Sequence, residues 1–343
     1  MITDKSIMGI QRLTHKIFSS ISYISASQLL LCFLILLCVK VTAGSYGDRS
    51  YIFMKCVSNC GNKNCTSQSK FLSAQPWYLT VLQWSCKDEC RYQCMWKTVD
   101  AFHKDGLSVP QFHGKWPFVR LFGIQEPASV LFSVLNGLAH LRILSYRKQV
   151  SPKVPLYYIW HLYALVAFNA WFWSTVFHTK DTDFTEKMDY FCAFSVVLSN
   201  CYVVLCRLYG TSPVRRPLIF AALVIALYTY HIYYLAFVHF DYGYNMQVNI
   251  VFGALNFTGW MLYAYREGIK KRYVQKCMLA MFGLTFLILL ELLDFPPLLW
   301  IFDAHSMWHA GTIPVCYLWY SFVIEDGLNM ELELGDDKDK KTV

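Results

Sequence analysis

The stretch Asn169-Ala-Trp-Phe-Trp-Ser-Thr-Val-Phe-His178, continuing through Thr179-Lys-Asp-Thr-Asp-Phe-Thr-Glu-Lys-Met188 to Asp189, decides how the chain is read. It begins inside an apolar run, leaves it at His178, crosses a short polar loop and enters a second apolar run at Asp189. About 20 apolar residues in a helix cross the hydrocarbon core of a bilayer, so two such runs joined by a short loop predict a membrane hairpin. Ser174 and His178 are four residues apart, and a helix stacks them on one face. His305 and His309 repeat that spacing at the lip of a later apolar run. Serine, histidine and aspartate are costly to place at a membrane edge and usually carry function there.

The composition agrees with a membrane protein. Of 343 residues, 55% are hydrophobic, 17% aromatic and only 16% charged, against about 25% charged in soluble domains. The net charge of +8 is not a nucleic-acid signal, because the basic residues fall in short loops between apolar runs. At the N-terminus, Lys5, Arg12, His15 and Lys16 precede an apolar core over 29–39 and the small residues Thr42, Ala43 and Gly44. That order predicts a signal peptide over 1–43, with an uncleaved signal anchor as the alternative. Residues 44–120 are more polar and carry Cys56, Cys60, Cys65, Cys86, Cys90 and Cys94. An even set behind a signal peptide predicts a small luminal domain held by disulfides, whose pairing the sequence leaves open. Cys86, Cys90 and Cys94 share one helical face, and zinc held by cysteines is the competing reading. Asn64-Cys65-Thr66 is a glycosylation sequon. Asn256-Phe-Thr258 also fits but lies in an apolar run and is discounted.

Residues 121–325 hold seven apolar stretches, near 126–145, 156–177, 189–209, 217–239, 246–265, 277–293 and 304–322, followed by a charged tail over 326–343. The expected fold is therefore an all-α polytopic membrane protein, a seven-transmembrane-helix bundle behind a small disulfide-rich luminal domain. The loops after the first, third and fifth stretches carry Arg142, Arg147, Lys148, Lys153, Arg207, Arg215, Arg216, Arg266, Lys270, Lys271, Arg272 and Lys276. The alternate loops carry only Lys180 and Lys187, against several carboxylates. Basic loops face the cytosol, which puts the cysteine domain in the lumen and the C-terminus in the cytosol.

That orientation brings Ser174, His178, Asp189, His305 and His309 to one depth, within about one helical turn (~5 Å) of the luminal boundary. Three neutral imidazoles with one open position are the ligand set of a catalytic zinc site. The metal would acidify a bound water, Asp189 would hold and deprotonate it, and Ser174 would donate to the water or the oxyanion. Glu291, Asp294 and Asp303 are candidates for orienting a ligand histidine through its free nitrogen. His161, His231, Asn136, Asn200 and Asn249 read as interhelical hydrogen bonders. The histidine pair could do the same. A serine-hydrolase triad of Ser174, His178 and Asp189 is a further alternative, although no G-x-S-x-G elbow occurs and it leaves His305 and His309 unused.

The S-x3-H motif, the following Asp189 and the late H-x3-H resemble the seven-helix membrane hydrolase superfamily that includes alkaline ceramidases and the progestin and adiponectin receptors. Longer blocks, Val109-Pro-Gln-Phe-His-Gly-Lys-Trp-Pro-Phe118, 169–191, Phe240-Asp-Tyr-Gly-Tyr-Asn245 and 290–309 (LELLDFPPLLWIFDAHSMWH), resemble its GPI-specific phospholipase A2-like family. The resemblance covers about 44–325. It implies a Golgi enzyme that removes the sn-2 acyl chain from GPI-anchored proteins. It places Zn2+ on His178, His305 and His309, with Asp189 and Ser174 at the metal-bound water. A ceramidase-type amide hydrolase and a non-catalytic receptor or lipid binder with a structural metal are the alternatives. The chain ends Lys340-Lys341-Thr342-Val343, which fits a dilysine signal for coat-complex recognition and retrieval toward the endoplasmic reticulum. A merely solvated tail is the plainer reading.

Overall fold

The computed structural model describes residues 45–342, and the signal peptide expected over 1–43 lies outside them. Two serines start the N-terminal helices. Ser50 caps α1 (Tyr51–Asn64) by accepting from the Phe53 amide, and Ser85 forms a reciprocal capping box with Asp88 at the head of α3 (Cys86–Lys104). Such caps satisfy amides that have no partner in the first turn. A short α2 (Trp77–Val81) lies between them. The disulfides pair Cys56 with Cys94, Cys60 with Cys90 and Cys65 with Cys86. This nested order follows from two antiparallel helices with half-cystines four or five residues apart, about one turn each. It also answers the reading of zinc on cysteine, since all six are bridged. Phe53, Val99 and Phe112 pack with Cys94 as the apolar core of this part.

Each of the seven apolar stretches falls on a helix. They are α4 (Pro127–Ala139), continued by a 3-10 turn into α5 (Ile143–Gln149), then α6 (Tyr157–Thr179), α7 (Asp183–Tyr209), α8 (Arg215–Tyr233), α9 (Tyr242–Glu267), α10 (Arg272–Leu293) and α11 (Ala304–Thr342). Pro127 takes the first helical position of α4, where its missing N–H costs nothing. One expectation is corrected: Asp189 does not open its helix, because Thr182 caps α7 with Thr185 and the helix begins at Asp183. A charged first turn beside a good cap extends the helix beyond the apolar run.

Among the described residues, four segments can cross a membrane by length and composition: Pro127–Gln149, Asp183–Tyr209, Arg215–Val238 and Arg272–Leu290. The remaining three helices, α6, α9 and α11, carry more tyrosine, tryptophan, asparagine and histidine, which lower their apolar average while filling the interior. Trp160 of α6, Trp260 of α9 and Trp319 of α11 meet there, with ring centroids 6.3 Å and 5.0 Å apart. Large aliphatic side chains such as Leu131, Leu138, Leu218, Ile219 and Ile225 point outward, as a lipid-facing surface requires.

Polar side chains between the helices divide into two groups. Asn136 donates to the His309 carbonyl, His231 meets Asn245, and Trp260 donates to Asn200, so these join neighbouring helices as expected. His161 and Asn249 instead bond carbonyls one turn back on their own helices. A carbonyl four residues away is nearer than any partner across an interface. Asn256, the discounted sequon, is buried and donates to Val197 of α7.

Candidate metal centre

Two tight turns bring charge to the end of the bundle. Phe112 and Lys115 exchange backbone hydrogen bonds around His113-Gly114, with φ of 50° and 81°. Leu121 and Ile124 do the same around Phe122-Gly123, with φ of 49° and 79°. Positive φ at both central residues is the signature of a two-residue type I′ turn, which glycine accommodates without strain. The first turn delivers Lys115. The second delivers Gln125 and Glu126, whose amides donate to the carbonyls of Thr179 and His178.

His178, one residue before the end of α6, is 2% exposed and its Nδ1 lies 2.7 Å from Glu126 Oε2. The other Glu126 oxygen accepts from Lys115 Nζ at 2.6 Å, and Lys115 also pairs with Asp181 at 3.1 Å. Burial alone would push the Lys115 ammonium down, but the carboxylates of Glu126 and Asp181 outweigh it and hold it above the ordinary lysine range. A carboxylate flanked in this way can only accept, so His178 carries its proton on Nδ1 and turns the Nε2 lone pair inward.

His305 and His309 come from the first two turns of α11. His305 Nε2 lies 3.3 Å from His178 Nε2 and 2.8 Å from His309 Nε2. All three ligand atoms lie within 4.8 Å of one another. Lone pairs converging at that distance repel unless a proton or cation sits among them. Three imidazole nitrogens with a carboxylate behind one of them suit zinc, whose ligand histidines commonly donate their second N–H to a carboxylate. The residues present therefore fit the metal.

Behind His309 runs a row of hydroxyls. Its Nδ1 lies 3.4 Å from Ser133 Oγ, and Ser133 Oγ lies 3.1 Å from Ser174 Oγ. Asp189 stands within electrostatic reach of Ser174, His178 and His305. A His309 Nε2 lone pair turned inward leaves Nδ1–H to donate to Ser133, and the Ser133 hydroxyl proton to donate to Ser174. A Ser-His-Asp triad is not assembled, because His178 Nδ1 is bonded to Glu126.

All five residues singled out by spacing thus meet at one place. The three candidates for orienting a ligand do not act in that way where their side chains are described. Asp294 accepts from Gln111 and Trp116, while Asp303 caps α11 through the Ser306 amide. The side chain of Glu291 lies outside those described. Spacing also missed Glu126, Ser133 and Lys115. Glu126, Ser129, Ser133, Asn136 and His140 form a polar stripe along α4, all of them buried. Their i, i+3, i+7 spacing was the available signal.

The sequence profile of the Per1-like family matches residues 76–327. A mouse protein named GPI-specific phospholipase A2-like PGAP3 is 47% identical over 305 residues, spanning 88% of this chain and 95% of its own length. The human protein of that name is 45% identical over 303 residues, spanning 88% and 94%. A Drosophila melanogaster protein named post-GPI attachment to proteins factor 3 is 40% identical over 312 residues, spanning 87% and 94%. No solved structure matches. The profile match and these identities, with the metal-ready histidines lying inside the matched region, establish that this chain belongs to the Per1-like family.

Proposed function

We propose that this chain is a zinc-dependent acyl-ester hydrolase of the phospholipase A2 type that removes the sn-2 acyl chain from GPI-anchored proteins. The observation that carries the proposal is the convergence of His178, His305 and His309 beside Ser174 and Asp189. The names of the relatives supply the substrate class. Bound zinc would serve as a Lewis acid and lower the pKa of a water toward neutrality.

The chain's own residues do the rest. Glu126, clamped by Lys115, fixes the ring of His178 and raises its basicity as a ligand. Ser133 fixes His309 in the same sense. Asp189, oriented by Ser174, takes the proton from the attacking water and returns it to the departing sn-2 oxygen, so the products are a fatty acid and a lyso-lipid. Trp171 and Trp308 lie beside the site, with ring centroids 5.2 Å from His309 and 5.9 Å from His305, and suit the membrane interface. The proposed setting is the luminal face of the Golgi membrane, with residues 44–120 luminal and 326–343 cytosolic.

The test uses cells lacking their own version of the enzyme. Wild type or His305→Ala is expressed, and the lipid of a purified GPI-anchored protein is analysed by mass spectrometry. The unsaturated sn-2 chain is expected to be lost with wild type only, and zinc to co-purify with wild type only. Identical lipid from both would defeat the catalytic proposal and favour a binder that keeps the metal for structure. Cleavage of ceramide with the GPI lipid untouched would favour the amide hydrolase.

A further inference from the structure

We propose that the cavity under the disulfide-linked helices is a subsite for a phosphorylated sugar alcohol, the inositol phosphate part of the lipid headgroup. This rests on the reading that the substrate is a GPI lipid, and deepens it by naming where the polar end docks. The cavity measures about 330 Å³ and opens between α3, the two tight turns and the start of α7. That volume lies within the ~300–1,000 Å³ of small-molecule sites.

Its cations come from separate elements: Arg91 from α3, Lys115 from the first turn and Arg120 from the segment before the second. Arg120 is held most firmly. Its guanidinium lies 3.6 Å from the ring centroid of Trp84 and 4.2 Å from that of Tyr92. Its side chain is 12% exposed, with one hydrogen bond, from Nη1 to Glu89 at 3.4 Å. Arginine has five N–H donors. A planar fork locked between rings with donors to spare matches the bidentate geometry of phosphate. Asp183, in the first turn of α7, lines the same cavity and is exposed, so its carboxylate can accept from hydroxyls. Trp116 lines it too, its indole N–H fixed to Asp294.

Cations alone would suit any anion, and carboxylates with aromatic rings alone would suit an uncharged polyol. Both in one cavity suit a polyol that carries a phosphate. The position relative to the histidines is as informative. Lys115 lines the cavity, bonds Glu126, and Glu126 bonds His178. A headgroup here would sit two side chains from a metal ligand, where the ester of the same lipid has to lie. Selection would then come from the headgroup and cleavage from the histidines, with remote binding energy directed to the reaction.

The test uses the purified full chain in phospholipid-free detergent and follows tryptophan fluorescence, to which Trp84 and Trp116 report. The probes are myo-inositol 1-phosphate, inorganic phosphate and myo-inositol. The inositol phosphate is expected to bind at least about tenfold more tightly than either fragment. Arg91→Gln, at an exposed position, and Arg120→Lys are each expected to weaken it about tenfold, the loss of one charge-assisted hydrogen bond, with melting temperature unchanged for Arg91→Gln. Equal affinity for inorganic phosphate overturns the subsite in favour of a general anion site. Equal affinity in wild type and Arg91→Gln overturns it outright. The two readings fail separately. Inositol phosphate bound normally by His305→Ala, with no lipid cleaved by wild type, leaves the subsite standing and removes the hydrolase. GPI lipid cleaved by Arg91→Gln with undiminished preference over phosphatidylcholine leaves the hydrolase standing and removes the subsite.

Discussion

His305 stands between two other imidazoles, 2.8 Å from one and 3.3 Å from the next, and that crowding is the sharpest feature at the scale of single residues. Removing His305 or His309 is expected to abolish zinc binding, read as metal content of the purified protein, while the helical far-ultraviolet spectrum persists. Glu126→Gln keeps the size but loses the charge behind His178 and one of the two oxygens that accept from His178 and Lys115. Zinc affinity is expected to fall by about 10–100-fold, read by competition with a chelator, whereas Ser145→Ala, roughly three turns beyond Ser133 at the opposite end of that helical segment, is expected to leave it unchanged. The histidines, Ser174 and Asp189 were legible because four-residue spacing and a shared depth are local properties of the sequence. Glu126 was passed over because a carboxylate beside Pro127 looks like the ordinary start of a helix. Lys115 was not legible at all, since its contact with Glu126 depends on two tight turns whose geometry only the folded chain supplies.

At the scale of helices, α11 is joined to α4 beside the site and to α7 and α9 at the other end. Beside the site, Asn136 donates to the His309 carbonyl and accepts from Thr312. Asn136→Ala is expected to lower stability by about 1–2 kcal/mol, the range of interhelical polar contacts in membranes, measured as a drop in melting temperature in detergent. At the other end, fully buried Asp326 takes two hydrogen bonds from Arg207 and a third from Tyr263. Asp326→Ala leaves the partly buried Arg207 guanidinium with Glu267 alone, and a loss of about 3 kcal/mol, the low end for a broken buried pair, is expected. Lower yield and a lower melting temperature would report it, while the fraction that folds should still bind zinc. The helices themselves were legible as apolar stretches of membrane length. Their ends were less so: α7 starts at Asp183 because Thr182 caps it, a local hydrogen-bonding choice that hydropathy does not register.

At the scale of the molecule, three disulfides hold the N-terminal helices as a platform over one end of the bundle, with Trp96 against Trp300 at 5.1 Å and Lys180 donating to the Gln83 carbonyl. Loss of the Cys60–Cys90 bridge, by changing both residues to serine, is expected to cost about 2–5 kcal/mol and to lower zinc affinity, because Lys115 is carried by the platform. Normal zinc affinity in that variant would separate the two halves. The cysteine count announced the bridges, but their order needed the antiparallel placement of α1 and α3. Topology is tested by protease treatment of intact microsomes: the cysteine region is expected to be protected and a C-terminal tag removed. Deleting 340–343 and imaging the tagged protein tests the dilysine signal, and an unchanged distribution would reject it.

The ammonium that neutralises Glu126 comes from outside the helices that bear the histidines. A truncated chain beginning at residue 121 would keep the three histidines and the apolar helices of 121–325, yet would leave that carboxylate facing His178 without its counter-ion. The smallest unit able to carry the centre in its native electrostatic state therefore begins no later than the His113-Gly114 turn. A shorter, bundle-only version of the histidine centre would need another cation in place of that lysine.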